Sequence, residues 1–551
     1  MKVLADDRRR ELAVLLAAAL LIFWWLGGHD LWAPDEPYFA EGAREMVVDG
    51  QWAVPHVNGV VTTDKPPLFF WLIALFSLPL GAVTSFTARL PSALAALGTV
   101  ALTMRLGRRL YGPRTAPLAG AVLAVSFLFW DKARWCQTDS LLCLLIWVAL
   151  SAFAAHRAGE ASGRRAGLLF WLAAALAVLT KGPVGLLLPL GIALVTLGWD
   201  RELGGWRRFA PLAGPLLFAA VVGAWMVLAT VGGHGEYSVW GALKTHFLKR
   251  GLYGLAHRQP PWYFLEAVPI NLLPWTGLLP GALVLAWRRR APADRFALAA
   301  AAFVVVFFSI STEKRELYAL PALPAFALLL AGLVAAVCGW NEPEGAAAAK
   351  LGRRWVTVGQ GVVGGLLALI GLGLPLAADR FAGRIAEIEP WMAWFVGAVL
   401  LACGAATLWL ARRGRPLASC LMPAAGLALV YLFAVTAVYP AFEPRKSARA
   451  FAVQMKEATA ESRAQGLPVV AFGLANVPEA LAFYSDGVYT LETEDPAVLA
   501  RHLDRAEPAF AVVDGGELGR QDPELLGRLT VVATATLSRQ KVLLATNGGG
   551  R

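Results

Sequence analysis

Apolar residues in this chain come in long unbroken runs with short polar breaks, not in the alternation that half-buried soluble elements produce. Runs near 11–28, 89–107, 115–132, 140–156, 166–180, 183–199, 210–231, 263–287, 295–311, 317–339, 355–377, 391–411 and 417–439 predict about thirteen transmembrane helices, with 166–180 and 183–199 a short pair. Residues 66–83 are also apolar, but Pro66, Pro67 and Pro79 interrupt them. The unbroken part is too short to cross a bilayer and is expected to lie in the interface. From about residue 445 the pattern changes. Strand-like runs (Pro468–Phe472, Val488–Leu491, Phe510–Val513, Val542–Leu544) alternate with helix-like runs (Ala448–Glu461, Pro496–Ala506) and predict a small α/β domain. The expected fold class is therefore an α-helical polytopic membrane protein. Residues 1–440 would form the membrane domain and 441–551 a soluble α/β domain.

Composition supports lipid as the main solvent. Hydrophobic residues make up 57% of the 551 and charged residues 16%, against about 45–50% and about 25% for soluble domains. The net charge of +11 sits in short clusters between apolar runs, which reads as a topology signal, not a nucleic-acid face. If 66–83 does not cross, the clusters Arg8–Arg10, Arg105–Arg114, Arg157–Arg165, Arg201–Arg208, Arg288–Arg290, Arg353–Arg354 and Arg412–Arg415 share one side, expected to be cytoplasmic. The loop 29–88, the helix ends near Asp139 and Lys181, the loops 232–262 and 312–316 and the tail then face outside. The first apolar run follows Asp6-Asp7-Arg8-Arg9-Arg10 without a small-residue cleavage site and is expected to be a retained helix. No P-loop, zinc-finger or RNP pattern is present, and the five cysteines form no C-x-x-C pair.

The unusual polar residues fall on that outer side. Asp35 and Glu36 follow the first span directly; carboxylates there are costly unless solvated, paired or functional. Asp35 could equally cap a helix starting at Pro37. Lys65 precedes two prolines, which fix it at headgroup depth where it can meet a lipid phosphate, and Asp64 beside it could ligate a cation or pair with a base. Asp139 could cap the next helix or bring a further carboxylate to the same place. The segment 244–262 holds His246, His257 and Arg258 beside an aromatic belt, suited to phosphate binding by Arg258 and metal ligation by a histidine. Lys314 lies in the charge run Glu313–Glu316, just before Tyr318. Carboxylates, a fixed lysine, His/Arg and a Lys/Tyr turn on one membrane face are what sugar transfer from a lipid phosphate needs: a base for the acceptor proton and cations for the departing phosphate.

Several motifs also carry a family resemblance: Asp35-Glu36-Pro37, Asp64-Lys65-Pro66-Pro67-Leu68, Arg89-Leu90-Pro91-Ser92, Thr138-Asp139, Lys181-Gly182-Pro183, His257-Arg258-Gln259-Pro260, and Tyr318 with Leu320-Pro321-Ala322. Together they resemble the bacterial aminoarabinose transferases, which sit with the protein O-mannosyltransferases among GT-C glycosyltransferases. The likeness covers residues 1–340 well and the rest loosely. It implies a GT-C fold, an undecaprenyl-phosphate sugar donor, and transfer to an envelope acceptor such as lipid A on the periplasmic side of the inner membrane. It implies that Asp35 leads the catalytic set, with Asp139 and Glu36. Lys65, Arg258, Tyr318, Lys314 and Lys181 would bind substrate. It implies zinc held by a residue at position 64 with His257 or His246, although the family's Glu is here Asp64. Protein Ser/Thr as acceptor is the alternative. A transporter is a third reading, disfavoured because the ionisable residues gather at one face and no internal repeat is seen.

Overall fold

The computed structural model describes residues 2–206, 212–233, 258–340, 346–382, 389–537 and 540–547. The chain opens with α1 (Lys2–Phe23), then α2 (Asp35–Asp49) and α3 (Leu68–Ser77), which lie outside the long-helix bundle. The bundle continues with α4 (Ser85–Tyr111), the pair α5 (Thr115–Val125) and α6 (Phe127–Ala133), α7 (Thr138–Arg157), α8 (Gly163–Lys181) and α9 (Val184–Trp199). Helices Ala213–Gly232, Tyr263–Asn271 with Leu279–Arg289, Pro292–Ile310, Leu323–Val337, Ala346–Ala382, Pro390–Arg412 and Pro416–Phe433 complete it.

Among the described residues, nine helices are long and apolar enough to cross a membrane, or eleven if each of two bent pairs counts as one span. The other two predicted runs are α1, whose first half is charged, and α9, which is 16 residues long. The protein is a polytopic membrane protein. Two runs expected to be straight are broken. The α5–α6 pair bends by 71° at Ser126, and the pair at 263–289 bends by 119° around Pro274. The two breaks meet: the Phe127 amide, freed from its own helix, donates to the Leu273 carbonyl at 3.1 Å. A buried amide needs such a partner wherever an α-helix stops.

Small residues let the helices approach closely. A Cβ on Gly371 would lie 2.7 Å from the Gly397 carbonyl oxygen, and one on Gly185 would lie 2.3 Å from Ala177 backbone. Helix Leu323–Val337 is buried along its whole length at the centre. Ala346–Ala382 instead presents leucines such as Leu369 and Leu376 outward, and Pro390–Arg412 presents Trp394 and Trp409, as a lipid-facing surface should.

The tail folds into one five-stranded sheet, ordered β4 (Thr490–Thr493), β3 (Val469–Phe472), β5 (Phe510–Asp514), β7 (Gln540–Thr546), β6 (Thr530–Leu537). β3 pairs in parallel with β4 and β5, while β7 runs antiparallel to β5 and β6. One sheet face buries Phe472, Val513, Leu499 and Leu525, and the other continues into the main core through Val469, Val512 and Leu544. β6 and the short helices Pro478–Tyr484, Gly515–Gln521 and Pro523–Arg528 were not expected from the sequence.

The tail docks on the first loop. In that loop β1 (His56–Val57) and β2 (Val60–Val61) form a hairpin whose Asn58-Gly59 turn takes positive φ at both residues, the usual two-residue connection. The Asn58 amide donates to the Thr490 carbonyl at 3.0 Å and accepts from the Thr490 amide at 2.9 Å. Glu443 accepts from the Asp30 amide at 2.6 Å and from the Trp32 indole at 3.1 Å. Tyr484 accepts from the Leu31 amide at 2.5 Å.

Candidate active site

The site is built around Arg89, a buried guanidinium inside α4. It donates to Glu36 at 2.7 and 2.9 Å, and to the carbonyls of Leu26, His29 and Asp30 at 2.8–3.0 Å. Those carbonyls belong to the turn leaving α1, so one side chain satisfies backbone groups that helix α1 cannot. Arg134 does the same at 3.1 and 2.6 Å for Leu21 and Ile22. Burial, and then the charge of Arg89, push His29 down to about 4, leaving it a neutral ring in this network.

This arrangement corrects the expected role of Glu36. Its carboxylate is completely buried and takes four hydrogen bonds: two from Arg89, one from the Trp32 amide and one from the Cys136 amide, both at 3.0 Å. Burial works against its charge, but the Arg89 guanidinium outweighs that and holds the carboxyl below its usual range. Glu36 does not reach the cleft; it positions the turn that carries Asp35.

Asp35 points the other way, into the open. Helix α2 starts at Asp35 itself, and no side chain caps it, so the capping expectation is not met. Its Oδ2 accepts from Gln137 at 2.6 Å and from Arg315 at 3.2 Å. Oδ1 has no partner among the described residues, and the side chain is 30% exposed.

Asp139, in the first turn of α7, is likewise no cap. It pairs with Lys181, the last residue of α8, at 2.5 Å. The Lys181 ammonium lies 5.3 Å from the centre of the Tyr318 ring, which stacks on Phe308. Lys65 and Arg315 act electrostatically on Lys181, and Asp139 and Tyr318 on Arg315. The structure thus brings Asp35, Asp139, Lys65, Lys181 and Tyr318 to one end of the bundle, with Arg315 at their centre.

The other two expected substrate-binding residues adjoin the segment that carries Arg315. The Lys314 ammonium is buried and donates to the Gln259 carbonyl at 2.9 Å and to the Ser311 carbonyl. Arg258 is exposed and bridges to Glu313 through its backbone. Arg315 takes the place expected for Lys314. In the extended backbone there (φ −129, ψ 150 at Arg315), neighbouring side chains point to opposite sides. Gln137 and the pair Lys132–Asp131, 2.8 Å apart and close enough for Asp139 to act on Lys132, were also missed.

Of the expected metal donors, only Asp64 lies among the described residues. Asp64 pairs with Lys65 at 2.6 Å, and no group of three or more His, Cys, Asp or Glu side chains converges there. His246 and His257 lie outside the described residues.

Comparison with known proteins gives this geometry its context. Residues 64–227 match the family model described as dolichyl-phosphate-mannose-protein mannosyltransferase. The undecaprenyl phosphate-alpha-4-amino-4-deoxy-L-arabinose arabinosyl transferase of Edwardsiella ictaluri is 33% identical over 57% of this chain and 58% of its own. Its counterpart in Pseudomonas aeruginosa is 35% identical over 55% and 56%. The crystal structure of ArnT from Cupriavidus metallidurans in the apo state superposes with a TM-score of 0.77 at 23% identity, covering 98% of each chain. The chain is similar in sequence to these arabinosyl transferases over part of its length and shares the fold of the Cupriavidus protein. It spans a little over half the length of the curated relatives it matches, whereas the structural match covers 98% of the chain. A second crystal structure of that Cupriavidus protein, bound to undecaprenyl phosphate, gives a TM-score of 0.78 at 22% identity over 98% of each chain.

Proposed function

We propose that this protein is a glycosyltransferase that moves a sugar from undecaprenyl phosphate, or a similar polyprenyl phosphate, to an envelope acceptor such as lipid A. The reaction would take place on the periplasmic face of the bacterial inner membrane, a side supported by arginines such as Arg109 and Arg165 at the helix ends opposite Asp139 and Lys181. The observation that carries the reading is Asp35: a partly exposed carboxylate with one oxygen held by Gln137 and Arg315 and the other open.

In the proposed reaction the open oxygen of Asp35 takes the proton from an acceptor O–H as that oxygen bonds to the sugar's anomeric carbon. The bond from that carbon to the lipid phosphate breaks, and its electron pair stays on the phosphate. Arg315, Lys181 and Lys65 surround the place where this charge develops, which is where fixed cations lower a barrier most. Tyr318 and Phe308 give the sugar an aromatic wall. The names of the related enzymes in Edwardsiella and Pseudomonas agree with this donor class.

Asp35→Asn tests the reading. In membranes supplied with donor lipid, transfer should fall by about 10²-fold or more, while the variant inserts and unfolds as the parent does. Full transfer by that variant overturns the mechanism. A protein hydroxyl as acceptor is the second reading, favoured by the description of the matching family model. Mass spectrometry of lipid A and of secreted proteins, with and without the gene, decides between them.

A further inference from the structure

At the end of the bundle opposite Asp139 and Lys181, α4, α7 and α8 leave a slot of about 240 Å³. Its floor is apolar, formed by side chains such as Leu106, Val148, Ala152 and Leu169. Three arginines, Arg105, Arg109 and Arg165, share the lining. They are not equivalent. Arg109 is ion-paired with Glu160 and donates to the Ser151 carbonyl at 3.3 Å. Arg105 and Arg165 are exposed and make no side-chain hydrogen bond or ion pair among the described residues; Arg105 feels only the field of Glu160. Ser151 also lines the slot, and its Oγ is shut off from solvent without a hydrogen-bond partner.

We propose that this slot is a binding site for an anionic phospholipid. Its phosphate would sit between Arg105 and Arg165, and an acyl chain along the apolar floor. Basic pockets between transmembrane helices suit anionic headgroups, and guanidiniums bind phosphate oxygens by paired, charge-assisted bonds. A zwitterionic lipid brings its own cation toward two guanidiniums that no carboxylate pairs among the described residues. A free anion leaves the apolar floor unfilled. The slot is separate from the candidate active site: Ser151 is 12 residues along α7 from Asp139, about 18 Å, and Arg165 is 16 residues along α8 from Lys181, about 24 Å. The assignment does not depend on the reaction proposed above.

The test uses the full chain, delipidated in detergent, with thermal unfolding read against added phosphatidylglycerol, phosphatidylcholine or inorganic phosphate. Phosphatidylglycerol is expected to raise Tm, with phosphatidylcholine and phosphate giving little at equal concentration. Arg105→Gln with Arg165→Gln should weaken the half-saturating concentration by about tenfold or more. Ser151→Phe, which fills the slot and keeps both arginines, should abolish the response. Equal responses to the two lipids, an unchanged response in either variant, or a full response to phosphate alone overturns the proposal. Native mass spectrometry of the parent protein from mixed membranes needs no variant. Phosphatidylglycerol retained above its share of the membrane supports the site, and retention in proportion to that share overturns it.

Discussion

Arg315 reaches across 280 residues of chain to donate to Oδ2 of Asp35 at 3.2 Å. The contact orients the carboxylate and puts a guanidinium where the proposed reaction needs one for the leaving phosphate. Arg315→Lys keeps the charge and loses the planar fork, so the activity of Lys and Gln variants separates the two roles. Arg315→Gln is expected to lower kcat/KM for transfer by about 10²-fold, and Arg315→Lys by less. Steady-state kinetics with the lipid donor measures both.

Lys181 and Asp139 form a pair with little exposure at the same end. Removing one partner strands the other, at about 3–5 kcal/mol for a buried pair. Lys181→Met should therefore lower thermal stability sharply. Asp139→Asn with Lys181→Met should recover much of that stability but none of the activity, because the cation and carboxylate are both gone. Thermal unfolding and a transfer assay on the three variants complete the cycle.

Glu36 and Asp35 are neighbours in sequence with opposite expected phenotypes. Glu36→Gln leaves the Arg89 charge buried with its carboxylate partner neutralised, and should cost about 3–5 kcal/mol of stability. Yield of monodisperse protein on gel filtration should collapse for Glu36→Gln and hold for Asp35→Asn. If Glu36→Gln folds normally and only transfer is lost, Glu36 belongs to the chemistry after all.

Glu45 sets a pH dependence in the first loop. Burial raises it from the usual carboxyl range to about 8, with the charge of Glu41 adding to the rise and the Gly59 amide opposing it. The folded protein therefore holds a proton that the unfolded chain has released once the pH passes 4.5. This contribution to stability is full below pH 4.5 and is lost as the pH climbs through 8. Glu45→Gln, which cannot ionise, should flatten the fall in Tm between those values. A parallel fall in the variant and the parent assigns the dependence to other groups.

The sequence exposes the crossings because lipid demands length and apolarity, and every predicted run coincides with a helix or a bent pair. It hides the break at Ser126, since no proline or glycine marks it and its cause is a distant carbonyl, Leu273. The break at Pro274 is visible as a proline, but its 119° bend is not. At the site, the residues whose neighbours are local in sequence, Asp64 and Lys65, were the easier ones to place. Arg315 was passed over for Lys314 because the choice depends on which way an extended strand of backbone faces, a property fixed by the Arg258–Glu313 bridge and not by residue type. β6 escaped notice because its Thr-Val-Val-Ala-Thr-Ala-Thr-Leu sequence is small and largely exposed at a sheet edge.

Asp30, Leu31 and Trp32, a few residues before Asp35, are gripped by Glu443, Arg449 and Tyr484. This stretch is made 411 to 453 residues before the side chains of the tail that grip it. Through the insertion of the intervening helices its anchor is Arg89, acting through Glu36. A chain cut short before Glu443 would keep that first anchor and lack the second.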